Sequence, residues 1–152
     1  VSEYTANLCA NVIGQEIFGA LAHESHYDLE IWYQTQRDYY RELMLPLREN
    51  LLNLIPGLIV TSPEAAIYFI IDFKNICNDS FNAKDFVQFC ALKGKVNIEG
   101  KDYTLLLAPM AGFYSDPEKG KTQMRVAMVE PMYLIEKMPQ LLSELYNSYL
   151  QQ

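Results

Sequence analysis

The hydrophobic period of this chain changes at Pro56-Gly57, and that change limits the possible folds more than any other feature. Before it, apolar residues recur at helical spacing. Leu8, Val12, Ile13, Ile17, Phe18 and Leu21 predict a first helix over about 5–22, weakened locally by Gly14 and Gly19. The stretch His23-Glu24-Ser25-His26 reads as a break. Leu29, Trp32, Tyr33, Gln36, Tyr40, Leu43, Met44, Leu47, Leu51 and Leu54 then predict a long second helix. Arg37, Asp38, Arg41, Glu42, Arg48 and Glu49 give it a wet face. Pro46 removes one backbone donor and crowds the preceding turn, so a kink is expected there. Pro56-Gly57 ends the helix.

Beyond that point strands dominate. Residues 58–60 form a short one. Residues 66–73 are apolar on both faces, as a covered central strand should be. Two more are expected at 104–108 and 123–129, and a minor one at Val96 and Ile98. Ser80 or Asn82 can cap a helix that runs to about Leu92, turns Phe86, Val87, Phe89 and Cys90 inward, and stops at Gly94. Residues 115–121 are a polar, turn-rich loop. A last helix starts at Pro131 and carries Leu134, Met138, Leu141, Leu142 and Leu145 toward the core. The fold class is α/β of the small α+β kind: a short mixed sheet packed by helices, preceded by a long kinked connecting helix. Trp32, Tyr33, Tyr39 and Tyr40 give that helix more apolar surface than such a sheet can cover, so docking onto something larger is expected.

Composition excludes several functions. The 152 residues carry a net charge of −7 and are 50% hydrophobic, which suits one compact domain, or one domain with an appendage. An acidic chain with no basic, aromatic-interleaved run is not a nucleic-acid binder. No apolar run is long enough to span a bilayer. Val1-Ser2-Glu3-Tyr4 lacks the layout of a signal peptide, and Val1 is expected to be a processed or engineered start. Cys9, Cys77 and Cys90 make neither a disulfide framework nor a zinc site, so a reduced, cytoplasmic setting is expected with inert thiols. Asn78-Asp79-Ser80 matches a glycosylation sequon but carries little weight without a secretion signal. His23 and His26 lie at a spacing that can hold a metal on a helix, but no third ligand accompanies them and a surface role is expected. No phosphate loop is present, and Glu64, Asp72 and Asp79 form no acid–base pair.

One residue resists this bland reading. Arg125 stands inside the apolar run Met124-Arg125-Val126-Ala127-Met128. A cation on such a strand needs a partner, because burying an unpaired charge is costly. The partner is either a structural carboxylate such as Glu130 or a bound anion, most simply a carboxylate gripped in a two-pronged fork.

Three segments resemble the C-terminal part of fold-type-I aminotransferases that use pyridoxal phosphate, and are most similar to the aspartate aminotransferase-like members. Pro56-Gly57-Leu58-Ile59-Val60 followed by Ser62-Pro63-Glu64-Ala65-Ala66-Ile67-Tyr68 resembles the entry to that family's small domain, P-x-G-A-[FI]-Y. Ala108-Pro109-Met110-Ala111-Gly112-Phe113-Tyr114 resembles its aP-x-x-GF segment. Gln123-Met124-Arg125-Val126-Ala127, with Pro131 after it, resembles its xxRIA segment. Order and spacing agree over nearly the whole chain.

The resemblance implies that 1–27 end a large cofactor-binding domain, that 28–56 are the connecting helix, and that 57–152 are the small domain. It implies that Arg125 binds the substrate α-carboxylate and that Gly112 and Phe113 sit at the pocket mouth. It implies amino-acid and 2-oxo-acid substrates, pyridoxal 5′-phosphate, a missing N-terminal large domain and a homodimer. Two departures stand out. Ala65 occupies a position that is usually Gly. The family's catalytic lysine lies before the matched region, and none of Lys74, Lys84, Lys93, Lys95, Lys101, Lys119, Lys121 or Lys137 has a Ser-x-x-Lys context. The chain therefore offers no catalytic, cofactor-binding or metal-binding residue of its own, and alone it is expected to be inactive. The competing expectation is a stand-alone, non-catalytic small domain that serves as a binding or assembly module.

Overall fold

The computed structural model describes residues 11–151, which fall in two compact units divided between Tyr39 and Tyr40. Cys9 and the 5–10 part of the expected first helix lie outside the described residues.

In the first unit, helix α1 spans Val12–Ala20 and ends in a single tight turn at Leu21–His23. Its N-cap is Asn11, whose side chain accepts from the Gly14 amide at 3.0 Å. Helix α2 spans His26–Leu54 and crosses the boundary between the units. Ser25 caps it, with Oγ accepting from the Asp28 amide at 3.1 Å. This Ser-x-x-Asp start makes the stretch read as a break into a helix cap. The helix continues through Pro46. Among the described residues before Leu43, no side chain is buried.

The second unit holds the core. Four strands, β1 (Ile59–Val60), β2 (Tyr68–Asp72), β5 (Ala108–Pro109) and β6 (Gln123–Ala127), form one sheet in the order β1-β2-β6-β5. All its pairings are antiparallel, so the class is α+β and the sheet is not mixed. Two further strands, β3 (Val96–Ile98) and β4 (Lys101–Tyr103), make a separate hairpin. Its turn residues Glu99 and Gly100 both have left-handed φ, 54° and 80°, which matches the twist of a two-residue hairpin. Residues 104–107, expected as strand, run unpaired into β5. Strand β2 alternates between buried Phe69 and Ile71 and the more exposed Tyr68, Ile70 and Asp72. Its outer face is therefore only partly covered within this unit.

Helix α3 (Ala83–Leu92) takes Asn82 as its cap, not Ser80; the Asn82 side chain accepts from the Lys84 amide at 2.9 Å. The expected last helix is two: α4 (Met132–Ile135) and α5 (Met138–Leu150). Pro139 sits in the first turn of α5, where its missing donor costs nothing.

Leu43, Met44, Leu47 and Leu51 of α2 pack with Phe69, Ile71, Met124 and Val126 of the sheet and with Leu141, Leu142 and Leu145 of α5 in one buried core. Phe73, Phe81, Phe86 and Tyr146 form its aromatic end, with the Phe73 and Tyr146 rings 4.7 Å apart. Gly94 ends α3 because a Cβ there would stand 2.9 Å from both Cys90 Cα and Leu145 Cδ2. Gly57 ends α2 with φ 91°, a conformation that suits glycine.

Candidate functional site

The outer face of the sheet carries the candidate residues. Cross-strand partners share a face, so Arg125 lies beside Ile70 on one side and Ala108 on the other. Tyr68, opposite Ala127, is its diagonal neighbour on the same face. Strand β6 is an inner strand, and its core face is filled by Met124 and Val126. The side chain of Arg125 therefore projects away from the core.

Its partners are rings rather than acids. The guanidinium carbon stands over the Tyr68 ring, 4.6 Å from the centroid, and over the Phe113 ring at 5.1 Å. No carboxylate among the described residues forms an ion pair with it, and its buried Nε has no hydrogen-bond partner. The expected alternative, a structural pair with Glu130, is not formed. Only one other buried side-chain nitrogen among the described residues lacks a partner, Nε of Arg48 on α2.

Phe113 and Gly112 belong to a single tight turn, Ala111–Phe113, that follows β5. The turn is held from three sides. The Phe113 amide donates to the Met110 carbonyl at 2.9 Å. The Tyr114 hydroxyl donates to Gln123 Oε1 at 2.7 Å, and Gln123 Nε2 donates to Asp72 Oδ2 at 3.0 Å. Gly120, in the turn Pro117–Gly120, lies so close to the Met110–Ala111 backbone that a Cβ there would come within 2.6 Å of it. Gly112 itself faces open space. Asp72 also accepts from the Thr122 hydroxyl at 2.6 Å and the Lys74 amide at 2.9 Å, so its carboxylate is already satisfied.

Beside Arg125 the chain before Ala108 leaves the sheet and opens a cleft of about 510 Å³. Its lining includes Leu105, Leu107, Ala108, Val129 and Leu134, with Glu130 among its few polar residues and no lysine. The site thus offers one unpaired cation, two aromatic faces and an apolar wall. It can hold a carboxylate; it has no lysine in the cleft to hold an aldehyde cofactor. Near the departure at Ala65, the residue with left-handed φ is Ala66, at 61°.

His23 and His26 are exposed, and no cluster of three metal-ligating side chains occurs among the described residues. Burial pushes the Cys90 thiol up to about 11, as suits an inert core thiol. No helix among the described residues is long and apolar enough to cross a membrane.

Two solved structures are similar to this chain in fold. One is a probable N-succinyldiaminopimelate aminotransferase from Thermus thermophilus, 22% identical, with TM-score 0.50 over 70% of this chain and 23% of its own. The other is YbdL from Escherichia coli, for which a methionine aminotransferase function is identified. It is 17% identical, with TM-score 0.52 over 74% of this chain and 26% of its own. The fold is one found in aminotransferases. The chain spans about a quarter of the length of these two proteins. No family model and no curated protein matches it. Sequence reasoning pointed to Arg125, Gly112 and Phe113. It did not single out Tyr68 as lying over the Arg125 guanidinium; the signal was its place two residues from the strand partner of Arg125 on an alternating face.

Proposed function

We propose that this chain is the C-terminal part of a pyridoxal-phosphate-dependent aminotransferase, which moves an amino group between an aspartate-like amino acid and a 2-oxo acid. In this reading 1–27 end the large domain, 28–56 connect, and 57–152 are the small domain. Arg125 grips the substrate α-carboxylate with two donors, and Gly112 and Phe113 stand at the pocket mouth. The bidentate grip fixes the orientation of the amino acid about its Cα, which the reaction needs before the proton on that carbon can be removed. The apolar wall beside Arg125 excludes water from the gripped end. Bound pyridoxal 5′-phosphate supplies the electron sink for that carbon. Its lysine and phosphate contacts belong to the large domain upstream.

The observation that carries the reading is an arginine on an inner strand, over two rings and without an ion pair among the described residues, in a fold found in aminotransferases. The exposed apolar residues of α1, Val12, Ile13, Ile17 and Phe18, fit a surface that packs on the large domain. The full protein is a cytoplasmic homodimer in this reading, and the present chain alone is inactive.

The test uses the full-length gene product. Arg125→Ala should raise the amino-acid KM by about thirtyfold or more, the cost of losing a charge-assisted pair. The absorbance of bound cofactor should not change. An unchanged KM removes Arg125 from the carboxylate site, and transamination by the present chain alone overturns the division of labour.

A further inference from the structure

We propose that Tyr68 and Phe113 are positioning residues that hold the Arg125 fork in the orientation a carboxylate requires; this rests on the carboxylate-binding reading of Arg125. The two rings come from independent elements, β2 and the turn after β5, and converge on one guanidinium at 4.6 and 5.1 Å. Neither is a core residue, since Tyr68 is 41% exposed and Phe113 58% exposed.

The geometry of the guanidinium makes the consequence specific. Its N–H bonds lie in its own plane, so rings stacked on its faces leave the edges free to donate. An arginine without such rings samples many rotamers, and binding must then freeze them. Two rings at 4.6 and 5.1 Å from the guanidinium carbon restrict those rotamers in advance. The buried, unpartnered Nε fits this arrangement, because a terminal edge is kept for a ligand while the stem is enclosed. The turn that carries Phe113 is held through Tyr114 to Gln123 and on to Asp72, and by the close approach of Gly120 to the Met110–Ala111 backbone.

The experiment titrates the isotopically labelled full-length gene product with sodium propionate and follows the backbone amides of Gly112 and Ala127. The wild-type chain should show saturable shifts, and Arg125→Met should show none. Tyr68→Leu and Phe113→Leu should each weaken the apparent Kd roughly three- to tenfold. Tyr68→Phe, which keeps the ring and loses only the hydroxyl, should bind like wild type. Phe113 lies on an exposed turn, so Phe113→Leu decides the matter if Tyr68→Leu fails to fold. If Arg125→Met abolishes binding while Phe113→Leu binds as wild type, the positioning role is overturned and the carboxylate reading stands. Equal weakening by Tyr68→Phe and Tyr68→Leu would assign the effect to the hydroxyl and also overturn it. No saturable shift in wild type, or the same shift in Arg125→Met, overturns both.

Discussion

Replacing Arg125 by Met separates a residue kept for a ligand from one kept for the fold. The substitution retains most of the apolar stem and deletes the guanidinium. Two ring contacts are lost, each about 0.5–1 kcal/mol at a partly exposed site. One buried nitrogen without a partner is removed, which returns about 1–3 kcal/mol. No ion pair is broken, because none is formed among the described residues. These terms nearly cancel, so stability should stay within about 1 kcal/mol of wild type. In a urea titration with a slope of about 2 kcal/mol per molar, the midpoint should move by no more than about 0.5 M. An arginine that completed a buried pair would instead cost about 3–5 kcal/mol on removal, a midpoint drop of about 1.5 M or more. A loss above about 2 kcal/mol would therefore refute the view that the structure leaves this cation free for a ligand.

Two glycines eight residues apart should behave oppositely. Gly120→Ala forces a Cβ against the Met110–Ala111 backbone and should lower stability by about 1–3 kcal/mol, whereas Gly112→Ala enters open space and should be silent in the same urea titration. Stability should also fall in alkali. The Cys90 thiol is raised by burial from 9.0 to about 11, so the unfolded chain releases its proton first, and the stability this group contributes is full below about 9 and lost as pH rises toward about 11. Cys90→Ala should flatten that part of the pH profile of the urea midpoint, and an unchanged slope would remove burial of this thiol as the cause.

Much of the fold was legible because its signals are local. Pro56-Gly57 marks the end of α2, Asn82 caps α3, and the helical spacing of Leu43, Met44, Leu47 and Leu51 predicts the buried stripe. Strand direction was not legible, because apolar runs such as 66–73 read alike in parallel and antiparallel sheets. The β3–β4 hairpin was missed because Glu99 occupies the first left-handed turn position, where Asn, Asp or Gly is usual, which left Gly100 as the turn's one local signal. The last helix read as continuous because Leu134, Met138 and Leu141 keep one period across the break before Pro139. At the site, a lone cation in an apolar strand singled out Arg125. The ring of Phe113 reaches it only through a turn whose path depends on Gly120 and Gln123, and no spacing rule encodes that.

Helix α2 runs unbroken for 29 residues, yet its two ends belong to different thermodynamic regimes. From Leu43 onward its inward side chains are held in the core, so its amides there should open only when the whole second unit unfolds. Before Leu43 no described residue is fully buried, only Tyr40 among the apolar ones there packs partly against the core, and surface contacts such as Arg37 with Glu30 contribute little. Hydrogen exchange along this one helix should therefore change abruptly near Tyr40. A continuous ladder of backbone hydrogen bonds is then no guarantee of a single cooperative unit.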